Sequence, residues 1–107
     1  MPGNLYDLPN PLPNEEQFTD LIPDRGIKIE RIVSAGQITP EEEWYDQDRD
    51  EWIALIRGEA ELTYKNGQKV RLKPGDHIFI KAHEKHRVTY TSADPPSIWL
   101  AVHGRLA

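Results

Sequence analysis

From Gly26 onward, apolar and polar residues fall into short runs with a period near two, the repeat of a strand with one face buried. The runs Ile27 to Ser34, Glu43 to Gln47, Glu51 to Arg57, Glu59 to Tyr64, Lys69 to Leu72, His77 to Ile80, His86 to Thr91 and Ile98 to His103 predict about eight strands. Turn residues separate them. Asn66-Gly67 is a two-residue hairpin signal, and Lys73-Pro74-Gly75-Asp76 puts proline and glycine where a tight turn uses them. Short strands about ten residues apart imply an all-β sandwich or barrel. Within Glu51 to Arg57 both faces carry apolar residues, Ile53 and Leu55 on one and Trp52, Ala54 and Ile56 on the other, so this strand is predicted to be central. The same alternation sends His86, Val88 and Tyr90 inward and Arg87, Thr89 and Thr91 outward.

The first 26 residues read differently. Four prolines in positions 1 to 13 forbid a helix and suggest an extended arm. Asn14 with Gln17 three residues later resembles a helix cap, predicting one or two helical turns over Glu15 to Leu21 before Pro23. The expected organisation is thus an arm with a short helix over 1–26 and a barrel over 27–107.

Composition narrows the function classes. A chain of 107 residues accommodates one core, and 37% hydrophobic residues make that core modest, so a homodimer is expected to supplement it. A formal charge of -5, with Lys and Arg scattered singly, argues against nucleic acid and favours a small-molecule ligand or metal. The sequence has no cysteine, so thiolate metal sites, disulfides and cysteine nucleophiles are excluded. Neither a basic apolar leader nor an apolar run of about 20 residues is seen, and a cytoplasmic protein without membrane contact is the expectation.

Two segments carry candidate chemistry. Glu51 followed by WIALIR and Gly58 resembles the E(X)6G half of the first cupin motif, G(X)5HXH(X)3-4E(X)6G, and the stretch GEAELTYKNGQKVRLKPGD is similar to the hairpin joining the two cupin motifs. Lys81-Ala82-His83-Glu84-Lys85-His86 aligns with PXG(X)2H of the second, G(X)5PXG(X)2H(X)3N, which places His86 at the metal-ligand histidine. The resemblance covers roughly residues 27 to 103 and implies an all-β cupin β-barrel, a jelly-roll-like double-stranded β-helix. It is incomplete. The HXH positions fall on Trp44 and Asp46, or on Tyr45 and Gln47, depending on the gap; Lys81 and His83 replace the proline and glycine, and Tyr90 replaces the asparagine. The family's three-histidine, one-glutamate centre therefore cannot form.

What the remaining residues would still hold is a divalent transition metal (Zn, Fe, Mn or Ni) on His83, His86, Glu51 and Asp46, with open positions for a substrate. Tyr45 and Gln47 would complete the shell or bind the ligand, and Tyr90 would contact it. Glu51 is the residue hardest to explain as packing, because a buried carboxylate without a partner costs several kcal/mol. Without a metal, Glu51 and His86 would serve together as a general acid and base pair, as in proton-transferring cupin sugar epimerases and isomerases. Two function classes follow: an oxygenase- or isomerase-type enzyme acting on a small polar organic molecule, and a metal-free, non-catalytic cupin that binds a sugar or organic acid through Tyr45, Gln47, Arg87 and Tyr90. His77 and His103 are weaker candidates. The alternating acids of Asp46 to Asp50 lack the glycine and glutamate of a calcium loop.

Overall fold

A computed structural model describes residues 2–107. Its strands are β1 (Gln17–Asp20), β2 (Lys28–Ser34), β3 (Asp50–Arg57), β4 (Ala60–Tyr64), β5 (Lys69–Leu72), β6 (His77–Ile80), β7 (His86–Thr91) and β8 (Ser97–Gly104). They form two antiparallel sheets, one of five strands in the order β1-β2-β8-β3-β6 and one of three in the order β5-β4-β7. The sheets close on a core of Ile32, Ile53, Leu55, Leu62, Leu72, Ile80 and Trp99. Each fully buried aliphatic side chain among them contributes about 1.5–3 kcal/mol. β3 lies between β8 and β6, and its inward face is Glu51, Ile53 and Leu55, all buried.

The predicted helix over Glu15 to Leu21 does not exist. The segment instead forms β1, in which Gln17 and Thr19 are half-buried and Phe18 and Asp20 exposed, and pairs with β2 from Gln17↔Val33 to Asp20↔Glu30. A helix of one or two turns has too few hydrogen bonds to offset its nucleation, whereas the β2 edge offers partners immediately. The presumed cap is used otherwise: the Gln17 side chain accepts a hydrogen bond from the Arg31 guanidinium at 3.1 Å. Arg31 also donates to the carbonyls of Leu5 and Asp7, which ties the proline-rich arm to β2.

The strand expected over Glu43 to Gln47 is an irregular segment with one bridge, Tyr45↔His86. Its hold on β7 is strong: Tyr45 and His86 exchange both backbone hydrogen bonds, Thr39 N–H donates to the Val88 carbonyl, and Arg87 donates to the carbonyls of Thr39 and Glu41. At the other end of the barrel Gly58 has φ +85°, and a Cβ there would lie 2.8 Å from the Ser97 Cα, so only glycine fits the turn into β4.

β7 departs from strict alternation. Glu61 pairs with Tyr90 but Leu62 pairs with Val88, so Thr89 is the extra residue of a bulge. Beyond it the faces exchange: Thr91 is buried, and Tyr90, expected inside, is 40% exposed with the Arg71 guanidinium over its ring.

Candidate functional site

The inward faces of β2, β3 and β8 each contribute an ionisable residue, and the strand register brings them together. Glu51 pairs directly with His103 across β3 and β8, and His103 pairs with Lys28 across β8 and β2, two residues from Glu30. His86, at the start of β7 in the other sheet, reaches Glu51 across the barrel. His86 Nε2 lies 3.6 Å from Glu51 Oε1, His103 Nε2 lies 3.7 Å from Glu51 Oε2, and His103 Nε2 hydrogen-bonds Glu30 Oε1 at 3.0 Å. Glu30, Glu51, His86 and His103 are each less than 8% exposed. From Glu30 the line continues to the rim through Lys28 Nζ, 3.5 Å from the second carboxylate oxygen, and Asp20.

Local structure sets the proton positions. His86 Nδ1 donates to the Glu84 carbonyl at 2.9 Å, so this nitrogen carries a hydrogen in either charge state. The neutral ring would then aim a lone pair at the Glu51 carboxylate, whereas the imidazolium presents an N–H. Burial pulls the His86 pKa down, but the Glu51 carboxylate and the Glu84 carbonyl outweigh it and leave the group above its ordinary value. For Glu30 burial raises the pKa, and His103 and Lys28 together more than reverse this, leaving the carboxyl below its usual range. The Tyr45 ring stacks on His86 with centroids 5.5 Å apart; burial, and then the charges of Glu16 and Glu51, hold its phenol above the usual value.

These side chains line a cavity of about 60 Å³, room for a few waters or the end of a small molecule. Tyr45 and Gln47 line it as well, with Ile32, Ile53, Leu62 and Trp99 as the apolar wall. It opens beside Phe18 of β1 into an outer basin that shares Phe18, Glu30, Gln47 and His103 with it.

The predicted site residues thus separate. Glu51 and His86 stand together in the interior, with Tyr45 and Gln47 beside them, which selects the shorter gap of the motif. Asp46 and His83 form a pair of their own, Oδ1 to Nδ1 at 2.9 Å, on the outer basin with side chains 43% and 67% exposed. His83 is also the one non-glycine residue with positive φ among the described residues, at 63°, the left-handed region that favours glycine, the residue the motif carries at this position. Tyr90 is outside the cavity. Glu30 carries no motif signal in the sequence and His103 only a weak one. Their alternation with Ile32 and with Trp99 and Ala101 marks both as inward, but their meeting depends on the β2-β8 register.

The Cupin domain family matches residues 30–103. The chain belongs to the cupin family. Among solved cupin-like structures, a protein from Ralstonia eutropha JMP134, provisionally designated a mannose-6-phosphate isomerase, is 38% identical over 99% of both chains with a TM-score of 0.91. A cupin superfamily protein from Desulfitobacterium hafniense DCB-2 is similar in fold, with a TM-score of 0.72 at 19% identity over 97% of this chain and 100% of that one. The TT1209 protein of Thermus thermophilus likewise shares the fold, with a TM-score of 0.78 at 19% identity over 96% and 95%. No curated protein sequence matches. Among the described residues, no helix is long and apolar enough to cross a membrane.

Cupins commonly hold a transition metal at the motif positions, which are here Tyr45, Gln47, Glu51 and His86. Two of these are a phenol and an amide, in place of the two imidazoles of the motif. The Asp46–His83 pair lies apart, and His103 is hydrogen-bonded to Glu30. Among the described residues no three His, Asp or Glu side chains are arranged to hold a metal ion. The four residues assigned to a metal from the sequence, Asp46, Glu51, His83 and His86, therefore do not fit one centre.

Proposed function

We propose that this cupin is an isomerase that moves a proton between adjacent carbons of a small hydroxy-carbonyl compound, with Glu51 as base and His86 as acid. The observation that carries the reading is a buried carboxylate flanked by two buried imidazoles and open to a cavity. Glu51 takes the proton from the carbon beside the carbonyl while His86 Nε2–H gives its proton to the carbonyl oxygen, producing an enediol. Return of the carbon-bound proton to the neighbouring carbon, with loss of the other hydroxyl proton to His86, yields the isomer and restores both residues. The gap of 3.6 Å between Nε2 and Oε1 leaves the two groups free to engage a substrate instead of bonding each other. His103, hydrogen-bonded to Glu30, stands 3.7 Å from the other Glu51 oxygen and supplies a second buried imidazole beside the base. The provisional designation of the Ralstonia eutropha protein agrees with isomerase chemistry.

Proton NMR in D2O with a panel of aldoses tests this. The protein should exchange the proton on C2 for deuterium and form the ketose, and Glu51→Gln should stop both. Binding of an aldose without exchange would favour the non-catalytic alternative, in which Tyr45 and Gln47 hold a ligand. Near-stoichiometric metal in protein purified without chelators, lost from Glu51→Gln and His86→Ala together with activity, would replace the reading by a metal-dependent one.

A further inference from the structure

We infer that the substrate is an uncharged polyhydroxy carbonyl compound and that the site disfavours its phosphate ester. That this compound is turned over rests on the isomerase reading; the preference for a neutral ligand is a property of binding alone. Among the described residues that line the inner cavity, the groups able to carry charge, apart from the Tyr45 phenol, are Glu16, Glu30 and Glu51 together with His86 and His103. Carboxylates accept hydrogen bonds and do not donate them when ionised, which suits the hydroxyls of a sugar and repels a phosphate.

The outer basin, where the distal end of a hexose entering this small cavity would lie, contains Lys28 and Arg49. Both are already engaged. The Arg49 guanidinium holds both Asp24 oxygens, at 3.2 and 3.1 Å, in the two-pronged geometry that a phosphate would otherwise use. Lys28 Nζ sits between Glu30 at 3.5 Å and Asp20 at 3.8 Å. Asp46 and Asp48 line the same basin, and the Asp46 carboxylate holds His83. A dianionic phosphate drawn to either cation would stand beside the carboxylates that already neutralise it, and beside Asp46 and Asp48. The distal end of the molecule therefore carries a hydroxyl, unlike the substrate in the designation of the Ralstonia eutropha protein.

The experiment compares neutral aldoses, D-mannose among them, with their terminal phosphates and with inorganic phosphate, by calorimetry and ligand-observed NMR at low ionic strength. At least one neutral aldose should bind, with its phosphate at least tenfold weaker and inorganic phosphate silent. Asp24→Asn, which frees Arg49 and lies outside the inner cavity, should narrow the gap by strengthening the ester alone. Failure of every neutral aldose to bind, or an ester that binds as tightly as its parent sugar, overturns the inference. Preferential binding of a neutral sugar without deuterium exchange supports it while defeating the isomerase reading, so the two fail separately.

Discussion

Of the carboxylate–histidine pairs in this cupin, Asp46–His83 and Glu51–His86 share their functional groups and differ in nearly everything else. Asp46 and His83 meet at 2.9 Å on the surface, where both are exposed. Glu51 and His86 approach no closer than 3.6 Å, yet both are buried and one faces the other across the barrel. Water screens the first pair, and exposed pairs of this kind contribute at most about 1 kcal/mol. Around the second, low polarisability makes every unpaired charge costly, so its protons are held in a specific arrangement. The shorter contact is thus the weaker determinant of chemistry.

The contrast is broken most sharply at Glu51. Glu51→Gln keeps the shape of the side chain but not its basicity, and exchange of substrate protons should fall by about 100-fold or more, measured by NMR in D2O. Next in size is Glu30→Gln, which deprives His103 of its charged partner in a buried setting. Urea unfolding should show a loss of about 1–3 kcal/mol, and the Glu51-dependent rate should fall with it even at a temperature where the variant is fully folded.

A smaller effect concerns pH. Because the folded His86 pKa lies above the ordinary value of 6.5, protonating this ring favours the folded state. That contribution is complete below about pH 6.5 and is lost as the pH rises through the folded pKa. Denaturation midpoints measured across this interval should decline from it upward in the wild type, and His86→Asn should flatten the decline. An unchanged slope in the variant would detach His86 from the buried cluster. The smallest change is expected at the surface pair: His83→Ala should alter stability by less than about 0.5 kcal/mol and leave exchange intact. A loss of activity comparable to that of Glu51→Gln would erase the distinction between the pairs.

The local signals that were legible had local causes. Asn66-Gly67 predicts the β4–β5 hairpin because the turn needs positive φ, and Gly67 has φ +93°. Glu51, Ile53 and Leu55 share a face because side chains alternate along an extended backbone, and no neighbour alters that. Local preference fails where a distant contact overrides it. Pairing with β2 turned the Asn14–Gln17 cap signal into strand, and the bulge at Thr89 moved Tyr90 from inside to outside. Only three positions separate His83 from His86, a spacing that suggests a shared site, but its left-handed backbone and the strand that follows direct it to the outer basin.

What the sequence by itself determined is the all-β class, the turns, the motif positions of Glu51 and His86 and hence the resemblance to cupins, since each depends on residues close together in the chain. The tertiary structure alone decided which acids and histidines meet. Glu30 and His103 are separated by 73 positions and come into contact through antiparallel register, a property of two strands jointly. One residue of slip in that register would turn the whole inward face outward, and no single strand's pattern states the register it will adopt.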